Sequence, residues 1–277
     1  MTGAVLISAL GQHRHVAKQS PPAPRGAGIG HALAEVKATL SNKAFLWLVS
    51  AALFALINQG LTFALSNYQL AFLWQLQQME MLYYAVLLFG TVIVAFFIVP
   101  PLSARLGKKN GAILLALLSL SFNTALYASW LLDLVPGGPS DPSVAFMFSF
   151  LIFSNSTAIG MMMLTSSMMA DVVEASQQET GRRSEGLFFA GYFFMQKCAV
   201  GIGTFAAGMI LSFAQFPQNA KPGQVDVAVL DGLALYYTGV VAVLGITGVL
   251  ILRHFPISRE SHNERLRALN TSAESAS

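Results

Sequence analysis

The chain is 277 residues long, 55% hydrophobic and only 10% charged, with a formal net charge of +3. Soluble domains carry about a quarter charged residues, so a water-soluble globule is excluded and an integral membrane protein is implied. The small basic excess then reads as membrane topology, and no nucleic-acid footprint is visible.

Residues 1–10 are apolar, but no basic stretch precedes them and no small-residue cleavage site follows, so no signal peptide is expected. The segment is too short to span a bilayer and reads as an interfacial anchor or the end of a helix. Residues 11–43 form a polar linker whose middle holds Pro21, Pro22, Pro24, Gly26, Gly28 and Gly30. Its later part, 31–40, places Leu33, Val36 and Leu40 on one face of a short amphipathic helix. Arg14, Lys18, Arg25, Lys37 and Lys43 make this side basic, while His13 and His15 lack further ligands to complete a metal site.

Apolar runs follow at 44–76, 81–103, 111–132, 144–170, 186–213 and 232–252, each long enough to cross as a helix. The alternating ten-residue segments of a membrane β-barrel are absent. The expected fold is an all-α membrane bundle of six transmembrane helices, followed by a disordered tail at 253–277. Its loops alternate in charge. Arg105, Lys108 and Lys109 follow the second run, Arg182 and Arg183 the fourth, and Arg253, Arg259, Arg265 and Arg267 the sixth. Between them lie Glu80, then Asp133 and Asp141, then Lys221 against Asp226 and Asp231. Basic loops mark the cytoplasm, so both ends of the unit are expected there.

One charge sits deep. Lys197 lies about eleven residues beyond Gly186, or about 16 Å along a helix, near the centre of a hydrocarbon layer about 30 Å thick. A cation there costs about 2.5 kcal/mol on insertion scales, which points to function or to a neutralising partner. No Asp or Glu lies within any of the six runs. The partner must be solute, water, a depressed pKa or a carboxylate on another six-helix unit.

Amides and hydroxyls accompany it: Asn58 and Gln59, then Asn67, Tyr68 and Gln69 in the first run, Asn123 and Thr124 in the third, Asn155 and Ser156 in the fourth, and Tyr192 and Gln196 in the fifth. Facing a wet cavity, such groups satisfy the hydroxyls of a sugar; facing another helix, they bond helices together. Ala199, Gly203 and Ala207 recur every four positions, so one face of the fifth helix can approach a neighbour closely. Met161, Met162, Met163, Met168 and Met169 read as core filling. No Ser/His/Asp arrangement, HExxH or CxxC is present, and Cys198 is the single cysteine, so neither an enzyme, a metal centre nor a cofactor site is expected.

Two stretches resemble one family. Residues 101–110, PLSARLGKKN, are similar to the short basic loop of the major facilitator superfamily, with its tight turn at Gly107. Residues 170–186, ADVVEASQQETGRRSEG, followed by Phe188, Phe189, Gln196 and Lys197, resemble the loop before helix eleven, and that helix itself, of the glycoside-pentoside-hexuronide:cation symporters, the melibiose-permease-like group. NKAFLWL over 42–48 is similar to the family's mid-protein connector. The resemblance covers the chain against the family's C-terminal half, so that 1–10 matches the end of helix six and the six runs match helices seven to twelve.

The resemblance implies secondary active transport of a sugar or glycoside with Na⁺ or H⁺ across a bacterial inner membrane. Substrate and coupling would involve Lys197, Gln196, Tyr192, Asn58, Gln59, Asn67, Asn123 and Asn155. Arg105, Lys108, Asp171, Arg182, Arg183 and Glu185 would form cytoplasmic charge pairs that break as a gate opens. The cation would be bound mainly by carboxylates of an N-terminal six-helix half. The alternatives are a membrane scaffold or half-transporter, and a transporter of an amphipathic lipid.

Overall fold

The computed structural model describes residues 41–138, 141–180 and 185–256. The expected interfacial segment, the linker helix, Arg182, Arg183 and most of the tail lie outside them. Five helices account for nearly all of the described chain: α1, Lys43–Tyr68, extended by a π turn over Gln69–Leu73; α2, Gln78–Leu131; α3, Val144–Thr180; α4, Glu185–Phe213; and α5, Val227–Leu252.

Local chemistry sets the helix starts. Asn42 caps α1 by accepting the Phe45 amide at 2.9 Å. Gln77 and Glu80 form a reciprocal capping box on α2, in which the Gln77 amide donates to Glu80 Oε2 at 2.7 Å. Asp226 accepts the Ala228 amide at 3.0 Å and starts α5 five residues before the apolar run expected at 232. Asp231 therefore lies inside a helix, and its Oδ1 accepts the Trp130 indole N–H at 2.9 Å.

A helix of 54 residues would be about 81 Å long if straight, more than twice a bilayer's hydrocarbon thickness of about 30 Å. Instead α2 breaks at Gly107, whose φ of 77° and ψ of 164° suit glycine alone. Met81 and Tyr84, near its start, pack on a core that includes Leu126, Tyr127 and Trp130, near its end. In a straight rod these would stand about 60 Å apart. Residues 78–106 and 108–131 are thus two limbs of a helical hairpin, and α2 supplies two of the six expected crossings.

The core forms three levels along the helices. At one end Phe45, Leu48, Ala112, Leu115, Met168 and Phe188 are among the packed residues. Ala52, Leu56 and Ala199 occupy the middle. Leu61, Leu65, Trp74, Leu126, Trp130 and Tyr237 belong to the other end. Each of the two outer levels takes one end of the helices it includes, so the helices run up and down.

The tightest crossing joins α1 to α4, and these two run parallel. Phe45 meets Phe188 edge-on at 5.0 Å between ring centres. A Cβ on Gly60 would lie 2.6 Å from the Val200 carbonyl oxygen, and one on Gly203 would overlap the Ile57 carbonyl and the Leu61 amide. The small-residue face of α4, Ala199, Gly203 and Ala207, is the face buried here. The outside is apolar: Phe63, Phe89 and Phe97 are each more than three-quarters exposed, at 78%, 76% and 77%. Such a surface suits lipid or another membrane helix rather than water.

Candidate functional site

The depth of Lys197 follows from its helix, and its direction follows from the α1 crossing. At about 100° per residue, Lys197 is turned about 200° from Ala199, away from the packed face. It is exposed, as is Cys198 beside it. Its neighbours on this open face include Phe194 at 74% and Phe205 at 71% exposure. The register set by Phe45 against Phe188 and Gly60 against Gly203 puts Lys197 level with Phe54, one turn below Asn58.

The remaining expected site residues divide between two places. Tyr192 and Gln196 are half-buried on α4, with Tyr192 packed on Ala52, Leu56 and Ala199. Asn58 is half-buried, and its Oδ1 is buried without a partner among the described residues. The exposed Gln59 points its Nε2 at Met162 Sδ, 3.8 Å away on α3. Asn155 is half-buried on α3, next to Ser156, whose buried hydroxyl also lacks a partner there. Asn67 is exposed near the far end of α1. Asn123 belongs elsewhere: its Nδ2 donates to the Tyr237 hydroxyl at 3.4 Å, between α2 and α5.

A charged cluster forms at the bend of α2. Lys108 Nζ donates to both oxygens of Asp171, at 2.6 and 2.7 Å, joining the Gly107 turn to α3. Lys109 Nζ donates to the Phe255 carbonyl at 2.8 Å and joins the same turn to the end of α5. Arg105 is exposed one turn before Asp171's partner, and Glu185 opens α4. No group of three His, Cys, Asp or Glu residues able to hold a metal occurs among the described residues.

Tyr237 was not singled out by sequence reasoning. It is fully buried, shares a 3.1 Å hydrogen bond with Thr62 Oγ1, and meets the Tyr127 ring at 4.8 Å. The available signal was a tyrosine in the middle of an apolar run, because its hydroxyl must find a partner there.

A family model described as MFS/sugar transport protein matches residues 1–259. An uncharacterized symporter of Synechocystis is 27% identical over 236 residues, covering 84% of this chain and 41% of that protein. A candidate 2,3-dihydroxypropane-1-sulfonate exporter of Salmonella typhimurium is 29% identical over 160 residues, covering 57% of this chain and 32% of its own length. Its Escherichia coli counterpart is 28% identical over 163 residues, covering 58% and 32%. The chain thus spans less than half the length of these relatives. With nearly the whole of it matched by one family model, the chain belongs to the MFS/sugar transport family.

Proposed function

We propose that this chain is the C-terminal half of a secondary transporter that moves a sugar or glycoside together with Na⁺ or H⁺. It resides in a bacterial inner membrane with both ends of the six-crossing unit in the cytoplasm. What supports the reading most is Lys197, exposed on the one face of α4 that α1 leaves uncovered, within a chain that spans less than half the length of its relatives. A mid-helix ammonium that faces lipid is costly, whereas one that faces a second six-helix half can be neutralised by its carboxylates and by solute. Alternating access about a midplane site needs both halves.

In this scheme Lys197 couples cation and solute, with Gln196, Tyr192, Asn58 and Gln59 supplying hydrogen bonds from α4 and α1. The Lys108–Asp171 pair acts at the cytoplasmic end and breaks when the inward gate opens. Because Lys108 is 37% exposed, that pair contributes at most about 1 kcal/mol, suitable for biasing a two-state equilibrium rather than locking it.

The test is uptake by proteoliposomes holding this chain with its N-terminal half, under imposed Na⁺ or H⁺ gradients. Lys197→Met keeps most of the length of the side chain and removes its charge, and it should cut gradient-driven glycoside uptake by about tenfold or more. If the chain alone transports with full coupling, and Lys197→Met leaves it unchanged, the reading fails. A second reading, an anionic polyol as solute, is favoured by the sulfonate in the names of two relatives and by the exposed charge of Lys197. Competition by 2,3-dihydroxypropane-1-sulfonate but not by neutral glycosides would select it.

A further inference from the structure

The end of the bundle where α1 begins and α5 finishes carries cations and an aromatic pair that the transport scheme does not use. Lys43 and Trp47 stand one turn apart on α1, and both are exposed, Trp47 at 40%. Trp47 stacks on His254, just past the end of α5, with ring centres 5.2 Å apart and planes tilted by 21°. His254 Nδ1 donates to the Leu250 carbonyl at 3.0 Å, so the stack and this bond hold the ring together. Arg253, the exposed neighbour of His254 in the chain, adds a second cation. Lys109 adds a third, with its Nζ on the Phe255 carbonyl at 2.8 Å. Among the described residues Lys108 and Asp171 form the ion pair at this end, and neither Lys43 nor Arg253 has a carboxylate partner.

One turn beyond Trp47 the two helices meet closely. A Cβ on Gly248 would lie 3.4 Å from the Ala51 carbonyl oxygen, which sets α5 against the backbone of α1. From His254 inward, Leu250, Ile246 and Val243 follow on one face of α5, exposed at 50%, 50% and 65%. The rise from Val243 to His254 is about 16 Å, half of a hydrocarbon layer about 30 Å thick. Cations at the membrane surface, a tryptophan at headgroup level and an apolar stripe one leaflet deep together fit a phospholipid with a negatively charged phosphate head. Bulk lipid would need only the stripe, and topology only scattered cations; neither needs a tryptophan fixed by stacking among them. We propose that the groove between α1 and α5 binds one anionic phospholipid. Lys43 and Arg253 hold its phosphate beside the Trp47 and His254 rings, and an acyl chain lies along Leu250, Ile246 and Val243. The lipid fastens the start of α1 to the end of α5, apart from Lys197, which sits deeper on the open face of α4.

The experiment takes the full chain from vesicles of equal phosphatidylglycerol and phosphatidylcholine into native mass spectrometry. The native chain should retain phosphatidylglycerol over phosphatidylcholine by about fivefold or more. The double variant Lys43→Gln, Arg253→Gln should lose that preference, while Lys221→Gln, at the other end of the bundle, should keep it. No preference in the native chain, or one that survives in the double variant, overturns the proposal. A second measurement needs no variant: of the three tryptophans, Trp74 and Trp130 are buried, at 1% and 3%, so the response of Trp47 to lipid stands out. Phosphatidylglycerol brominated in its acyl chains should quench Trp47 more than brominated phosphatidylcholine at the same mole fraction. Excess inorganic phosphate should not remove that difference when compared with chloride at equal ionic strength. Equal quenching by the two lipids overturns the proposal, and removal of the difference by phosphate reassigns the site to a free anion and overturns it too.

Discussion

At the scale of single residues, charge and shape act through different neighbours. Asp171 accepts a hydrogen bond from Lys108 at each of its carboxylate oxygens, and it is only 16% exposed. Asp171→Asn keeps the shape and removes the charge. Since the partner is itself over a third exposed, folding should barely suffer, with Tm falling by no more than about 2 °C. If the pair biases the gate, the variant should shift transport toward a leak, seen as faster efflux from preloaded vesicles without a matching gain in coupled uptake. Unchanged efflux would leave the pair with a role in topology alone.

At the scale of elements, glycines decide which helices touch. Gly203 lies against the backbone of α1 at Ile57 and Leu61, so there is no flexible side-chain end that could move aside. Gly203→Val should therefore push α4 off α1 and cost about 1–3 kcal/mol in unfolding. On the same helix, a Cβ added at Gly208 would meet nothing within 4 Å. Gly208→Val should stay within about 0.5 kcal/mol. Equal losses at the two positions would argue against the parallel α1–α4 crossing. The hairpin offers a separate check: Gly107→Ala forces a φ of 77° and a ψ of 164° on a residue with a side chain, costing about 1–3 kcal/mol. That cost should appear as lower thermal stability, with the Lys108–Asp171 pair loosened beside it.

At the scale of the whole molecule, the question is what covers the open face of α4. Cys198 is the sole cysteine of the chain and is exposed beside Lys197, so it is a native probe of that face. Thiol labelling needs the thiolate and therefore water. A membrane-impermeant maleimide should label Cys198 when this face lines a wet cavity between two halves, and protection should appear on adding a transported solute. A Cys198 that reacts only with lipid-soluble reagents would place the face in bilayer, and the transport role of Lys197 would fall.

Much of this architecture was legible in the chain. The apolar runs revealed the membrane helices because hydrocarbon tolerates no unpaired backbone, and this constraint acts locally, run by run. The four-residue spacing of Ala199, Gly203 and Ala207 likewise marked the packed face of α4. Spacing could not choose between two fates for each amide within a span. Gln59 and Asn123 look alike in sequence, yet one is exposed beside Met162 on α3 and the other is bonded to Tyr237.

By itself, then, the sequence determined the class of protein, the run of helices and the depth of Lys197, since each depends on distance along one chain and on its contact with oil. Only the tertiary structure decided which way Lys197 points and that Thr62 and Asn123 meet at the Tyr237 hydroxyl. Those depend on the rotation of each helix against its neighbours, which is settled by side chains far apart in sequence.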